Sequence, residues 1–495
     1  MPPIQEFAWS QGDPEPQPRG SRSRSSPPAN VPAPNLCGMH RRRMLAGMWR
    51  LPTTSAVGLT CMACCFNPAY EHDGGPSTTG AATTAGSIGG NSTGGTVGSS
   101  GASSGSESSG SSSGSTSVST GASTSSGLVD CGTASSGSTS GSSGSGAICT
   151  FTGFAPQITY AVGIGPFSVA VSDFNGDGWP DLAVANSGDN TVGVLLNLDG
   201  GGFAGQATYE VASSPCSVVA GDFDAHCTPD IAVSNYVNNT ASVLLNQGSG
   251  IFAPQVTYGV GYTPAALAIG DLNGDGQLDV VTANSNSNTI SVLLGQGNGT
   301  FADQVTYASG VFPSSVAVGD FNVDHHLDIA VANGFSDTVG IFLNEGSGTL
   351  APQVAYPTGS GPNSVAVGDF NGDGLPDLAL TNQGDGTVSV LVNQGEATFA
   401  NQVTYAVASD PYFVAVGDFN GDGKPDLVVA DYLYDTVGVL LNTGNGTFAA
   451  PVTYAVGQSP WALAVGDLNG DGHLDLVVAN ANDSTLSVLI NQCSQ

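Results

Sequence analysis

Residues 173–181 read Asp-Phe-Asn-Gly-Asp-Gly-Trp-Pro-Asp, and a close copy of this phrase returns every 49 residues. Its first Asp stands at Asp173, Asp222, Asp271, Asp320, Asp369, Asp418 and Asp467, without one insertion. A fixed period of this size marks a repeat architecture, in which each unit buries its apolar face only against its neighbours. One unit runs from Phe252 to Thr300. It holds QVTY from Gln255, LAIGD from Leu267, the acidic phrase, LDVVTAN from Leu278 and TISVLLG from Thr289. These runs are short, rich in Val, Ile, Leu and Thr, and bounded by Gly, Asn or Pro, which is strand chemistry. Glycine interrupts every stretch before three helical turns could form.

Each unit therefore reads as four antiparallel strands. Four strands in a repeat of this length predict a blade, and seven copies predict an all-β, seven-bladed β-propeller. An open solenoid would have shorter repeats and need capping ends. The repeats instead begin with Phe154-Ala155-Pro156-Gln157-Ile158-Thr159-Tyr160, an outermost-strand phrase, and stop after Ser487–Asn491, just before it would recur. The N-terminal strand is expected to complete the last blade and close the ring. Cys149 and Cys493 flank that seam, and a disulfide between them is expected in an exported protein. The pairing of the other cysteines stays open.

Outward from the repeats the composition changes abruptly. Residues 1–38 are rich in Pro, Ser and Arg and read as disordered or as a non-native extension, with Met39 or Met44 the better start. Residues 39–65 carry a basic stretch, a mildly apolar run and small residues, the layout of an export signal. Within it Cys61-Met62-Ala63-Cys64 resembles a bacterial lipobox, although Leu is usual where Cys61 stands. Residues 66–148 are dominated by Ser, Gly and Thr and are expected to form a disordered linker. Residues 149–495 form the folded part. This layout predicts an exported protein, at the cell surface through an N-terminal lipid or free outside the cell, and monomeric.

The formal net charge of −32 comes from 8 Lys+Arg against 40 Asp+Glu. All seven Arg lie within the first 50 residues, and Lys424 is the one cation of Lys or Arg type after them. Such a chain is a poor partner for nucleic acid, whose phosphates need Lys and Arg.

The acidic phrase places oxygen donors at positions 1, 3, 5 and 9. The expected metal ligands are Asp173, Asn175, Asp177 and Asp181 in the first loop and Asp271, Asn273, Asp275 and Asp279 in the third. They are Asp369, Asn371, Asp373 and Asp377 in the fifth, Asp418, Asn420, Asp422 and Asp426 in the sixth, and Asp467, Asn469, Asp471 and Asp475 in the seventh. The fourth loop keeps Asp320, Asn322, Asp324 and Asp328 but has His325 where Gly is expected. The second, with Asp222, Asp224, His226 and Asp230, loses the position-5 carboxylate and both glycines and is expected to bind weakly or not at all. Short carboxylates alternating on one turn suit a hard cation, and five or six structural Ca²⁺ ions are expected, in preference to Mg²⁺ with its stricter octahedron. The loop is not an EF-hand, since its twelfth position is Val184. A metal-free Asx-turn is the alternative. Against it, 33 acids follow residue 153, 21 of them in these loops, and like charges gathered on one turn oppose compaction unless a cation neutralises them.

These residues resemble the FG-GAP and VCBS repeats, which include the seven-bladed propeller at the head of integrin α chains. The resemblance covers residues 154 to 495 and implies Ca²⁺ in the Asp/Asn loops of one face, with adhesive ligands on the other. Literal Phe-Gly and Gly-Ala-Pro are absent and two loops are degenerate, and integrin function is not expected.

On the opposite face the turns vary most and carry Phe167, Tyr236, Tyr262, Phe312, Phe335, Tyr412, Tyr432, Tyr434 and Trp461. Aromatics after Pro, such as Tyr412 and Trp461, also suit packing between blades. Asp431, Tyr432, Tyr434 and Asp435 form the leading cluster for a ligand. No catalytic constellation is recognised: there is no G-x-S-x-G elbow, H-E-x-x-H helix or P-loop. The expected function is a surface-tethered or secreted calcium-binding adhesion or recognition module for a protein or glycan ligand. The alternatives are a carbohydrate-binding lectin and, after it, a polysaccharide-active enzyme.

Overall fold

A computed structural model describes residues 150–494. Among them there is no helix. Seven four-stranded antiparallel sheets follow one another, each one repeat. In blade 1 the strands are Pro166–Ser172, Asp181–Asn186, Thr191–Leu195 and Ala207–Glu210, in that order across the sheet. The innermost strands touch their neighbours all the way round, the strand Pro460–Gly466 of blade 7 meeting Pro166–Ser172 of blade 1. The ring is closed.

Burial explains why the strand patterns differ. The second strand of every blade is buried at all six positions, because both of its faces lie against neighbouring blades. These strands therefore read as continuous apolar runs rather than alternating ones. The outermost strand is mostly exposed and carries Thr and Tyr. The core is seven apolar clusters, one at each interface between blades.

Closure follows the expected route. Ile158–Ala161 pairs antiparallel with Thr485–Leu489 and is the fourth strand of blade 7. The N-terminal segment also replaces the missing end of the last repeat. In other blades a Phe following the third strand packs edge-on against a loop Phe and an outer-strand Tyr, as Phe252 does against Phe174 and Tyr209. Phe154 does the same against Phe419 and Tyr454, with ring centroids 5.9 and 5.1 Å apart. Thr150–Phe154 pairs with Asn491–Ser494. Cys149 lies outside the described residues, as do the extension, the export signal and the whole of the linker.

Candidate metal loops and the opposite face

Each acidic loop joins the first and second strands of its blade, and its backbone folds around the position-1 carboxylate. In loop 1, Asp173 Oδ1 accepts hydrogen bonds from the amides of Gly176 and Asp177, and Oδ2 from Gly178, at 2.7–3.2 Å. Asn175 Oδ1 accepts from the Asp177 amide and its Nδ2 donates to Asp177 Oδ2, both at 2.8 Å. Asp177 Oδ1 accepts from the Trp179 amide at 2.8 Å. The same ladder recurs in loops 3, 5 and 7. Loop 4 keeps it apart from the position-4 bond. Loop 6 departs in its charge: Lys424 Nζ sits 2.9 Å from Asp422 Oδ2.

Position 9 is set apart from these exposed groups. Asp181, Asp230, Asp279, Asp328, Asp377, Asp426 and Asp475 are all fully buried. In each, Oδ2 accepts from the position-2 amide and Oδ1 from the amide sixteen residues further on, as Asp181 does from Phe174 at 2.9 Å and Asn197 at 2.7 Å. Position 9 thus ties the loop to the end of the third strand. Burial, only partly offset by these amides, pushes the carboxyls up from an ordinary 3.8 to about 6 in Asp181, Asp279 and Asp328. Asp230, Asp377, Asp426 and Asp475 reach about 7 for the same reason. A cation beside the loop favours the ionised form, so its binding and the deprotonation of these groups reinforce one another.

The degenerate loops keep the same backbone. Gly176 and Gly178 have φ of 78° and 89°, and Ala225, Cys227, Val323 and His325 adopt φ of 59–71° at the matching positions of loops 2 and 4. Residues with a Cβ are strained there, a β-branched one most of all. Cys227 is disulfide-bonded. Carboxylate oxygens of Asp222, Asp224 and Asp230 lie within 4.8 Å of one another, the one such grouping among the described residues. His226 Nδ1 is 2.8 Å from Asp224 Oδ2, and the hydrogen bond and charge of Asp224, with the charges of Asp222 and Asp230, favour its protonated form. So the loop with the weakest motif gathers its carboxylates most closely, because it has Asp224 where the others have Asn, and it adds a histidine paired with one of them. Loop 4 adds His325, with Nδ1 4.0 Å from Asp320 Oδ2, and His326; loop 6 adds Lys424 and loop 7 adds His473, whereas loops 1, 3 and 5 supply only oxygen donors. That donor set fits a hard divalent ion, which would supply positive charge at the turn.

Sequence reasoning missed the residue that links loops to blades. Asn246 Nδ2 donates to Phe174 O of the preceding blade's loop at 2.8 Å, and to Pro229 O at 2.9 Å. Asn197, Asn344, Asn393, Asn442 and Asn491 do the same. The 49-residue spacing of these asparagines was readable, but an Asn after a strand otherwise reads as a turn residue. Asn393→Ala should destabilise the protein by about 2 kcal/mol, by removing two buried hydrogen bonds and leaving Pro376 O without its donor. Urea unfolding of variant and parent, at equal m-value, checks this.

On the opposite face the predicted aromatics divide. Phe167, Tyr236 and Tyr412 are buried, and Trp461 stacks on Phe167 at 4.3 Å. Together they fill one side of a small cavity to which the innermost strands of all seven blades contribute. Tyr432 packs against Tyr412 and Trp461. Asp431 is buried and accepts from the Leu433 amide, while Asp435 accepts from the Ser459 amide at 2.8 Å. In the leading cluster, therefore, Asp431, Tyr432 and Asp435 hold the fold, and Tyr434 is the member that stands exposed. Tyr262 and Phe335 are exposed as well.

A closed ring of seven four-stranded blades, each with an acidic turn on the same face, defines a class of repeat propeller. The described sequence matches the profile of the FG-GAP-like repeat at residues 173–233, 222–282, 271–331, 324–380, 369–429 and 418–478. These matches span more than half of the chain, which belongs to that family. No curated protein matches it. Among solved structures, BBS1N in complex with ARL6DN is similar at 14% identity and a TM-score of 0.51, over 70% of this chain and 98% of that one. Virginiamycin B lyase from Staphylococcus aureus has 14% identity and a TM-score of 0.49, over 68% and 99%. An Agrocybe aegerita lectin that recognises non-reducing terminal N-acetylglucosamine has 17% identity and a TM-score of 0.44, over 66% and 86%. The fold suggests a recognition or binding module, and its neighbours include both enzymes and a lectin.

Proposed function

We propose that this chain is a calcium-braced recognition module, exported and either tethered at the cell surface or released, whose protein or glycan ligand engages the face opposite the acidic loops. The observation that carries this reading is the division of labour between the faces. One repeats an acidic, oxygen-rich loop in every blade, its 21 acids facing only Lys424 and the histidines His226, His325, His326 and His473. The other departs from the repeat and exposes single large aromatics. Calcium here is structural: it holds the turn that position 9 anchors to the third strand. Calorimetric titration of Ca²⁺ into the EGTA-treated full chain should report five or six sites. Absence of binding would end the calcium part of the reading. The recognition part is tested by whether substitutions on the opposite face, rather than in the loops, remove ligand binding while calcium uptake persists.

A further inference from the structure

We propose that the cleft between blades 4 and 5, on the face opposite the metal loops, binds a neutral carbohydrate; this rests on the recognition reading and names its ligand class. The cleft has a volume of about 400 Å³, within the range of small-molecule sites. One wall is an aromatic pair, Phe312 and Phe335, stacked with centroids 4.5 Å apart and planes 20° from parallel. Phe335 is 55% exposed, so the stack is not buried core.

Comparison of the repeats isolates this feature. At the position of Phe312 the other blades have Gly165, Ser214, Thr263, Gly361, Asp410 and Ser459. At that of Phe335 they have Gly188, Val237, Asn286, Gly384, Leu433 and Asn482. Only blade 4 has Phe at both. Phe312 holds φ of 57°, the left-handed turn conformation that Gly165 and Gly361, and also Ser214, Thr263 and Ser459, adopt at the matching position. In blade 5 the same two positions are Gly361 and Gly384, so the aromatic wall of one blade faces the barest turn of the next.

The polar lining decides the ligand class. Asp337 uses Oδ1 for the Gly361 amide at 2.8 Å and leaves Oδ2 without a protein donor. The Ser360 hydroxyl also lines the cleft. No Lys or Arg lies nearby, since Lys424 is held in metal loop 6, so phosphates, sulfates and acidic sugars are repelled. A pyranose matches what remains: its C–H face stacks on an aromatic ring and its hydroxyls donate to a carboxylate. A peptide fits less well. It needs main-chain partners, and the lining amides of Ser360, Gly361 and Gly384 are already bonded to Asp385, Asp337 and the Ser360 carbonyl.

The test is an array of neutral hexose, N-acetylhexosamine and 6-deoxyhexose oligosaccharides, probed with the full chain in Ca²⁺, followed by calorimetry on the strongest binder. Phe335→Ala should weaken binding at least about tenfold, and Phe335→Trp should stay within about threefold of the parent. Asp337→Asn, which keeps an acceptor for Gly361, should also weaken it. Melting curves with Ca²⁺ should be unchanged in all three, separating loss of the site from loss of the fold. Glycan binding that persists in Phe335→Ala overturns this site and leaves the recognition reading standing. Capture of a peptide through Phe335, with no neutral glycan bound, overturns the carbohydrate class. No ligand of either kind on the parent chain overturns both.

Discussion

Calcium added to the metal-free chain should raise its melting temperature by roughly 15 °C at pH 7.5, and should also reverse the way stability depends on pH. The first part is mass action. Each site filled to a hundred times its dissociation constant adds about 2.7 kcal/mol, and five such sites in a domain of this size shift the midpoint by roughly that amount. The second part follows from position 9. In the metal-free chain the buried carboxyls have pKa values of about 6 to 7, against 3.8 when unfolded. A group whose pKa is raised on folding contributes stability that is fully present below its unfolded value and lost as pH rises through the folded one. In EGTA the melting temperature should therefore fall between pH 4 and pH 8, in step with growing repulsion among the loop acids. With millimolar Ca²⁺ the ionised form is the one that binds, so stability should hold or rise over the same interval. Differential scanning calorimetry at four pH values, with and without the metal, measures both slopes. Identical falling curves in the two buffers would mean that the loops are turns alone.

Phe154→Ala should cost about 3–4 kcal/mol, a large effect for a residue near the end of the folded part. Phe154 is 8% exposed and touches the rings of Phe151, Phe419 and Tyr454. The substitution removes the ring that completes the interface between blades 6 and 7, while the strand Ile158–Ala161 remains to pair with Thr485–Leu489. Removing residues 150–161 altogether should do more. It strips blade 7 of its outer strand and exposes an unpaired edge, the kind of template that recruits a second chain. Urea titration reads the first effect, and light scattering at increasing concentration reads the second. A truncated chain as stable and monomeric as the parent would show that the ring needs no closing strand.

Much of this fold was legible in the sequence because a repeat carries its own control. A 49-residue period, four short apolar runs and a displaced outer-strand phrase left one closed architecture, and Ile158–Ala161 lies where that reasoning put it. The metal loops were legible as motifs, yet position 9 is the buried brace of its turn. Spacing gives the residue types of a site but not the depth of each. The spacing of Asn246 and its equivalents was readable but their role was not, because one partner of each is a carbonyl of the preceding blade, 72 residues away for Asn246. The leading ligand cluster was chosen by density of Asp and Tyr, and the backbone amides that occupy Asp431 and Asp435 leave no trace in composition. The Phe312–Phe335 pair lay in plain view as two departures from the repeat, 23 residues apart, but only the turn geometry stacks them.

The asparagine links have one gap. Blade 3 has Gly295 where the other six blades have Asn, so Phe223 O of loop 2 is held by the Gly299 amide without a side-chain clamp. The missing clamp adjoins the degenerate loop, and a new side chain could not simply restore it, since a Cβ on Gly295 would stand 2.3 Å from Leu278 O. Covalently the ring begins and ends at blade 7, whereas the interface without an asparagine link lies between blades 2 and 3. Amide hydrogen exchange should accordingly be faster at that interface than at the one between blades 4 and 5, which Asn393 clamps.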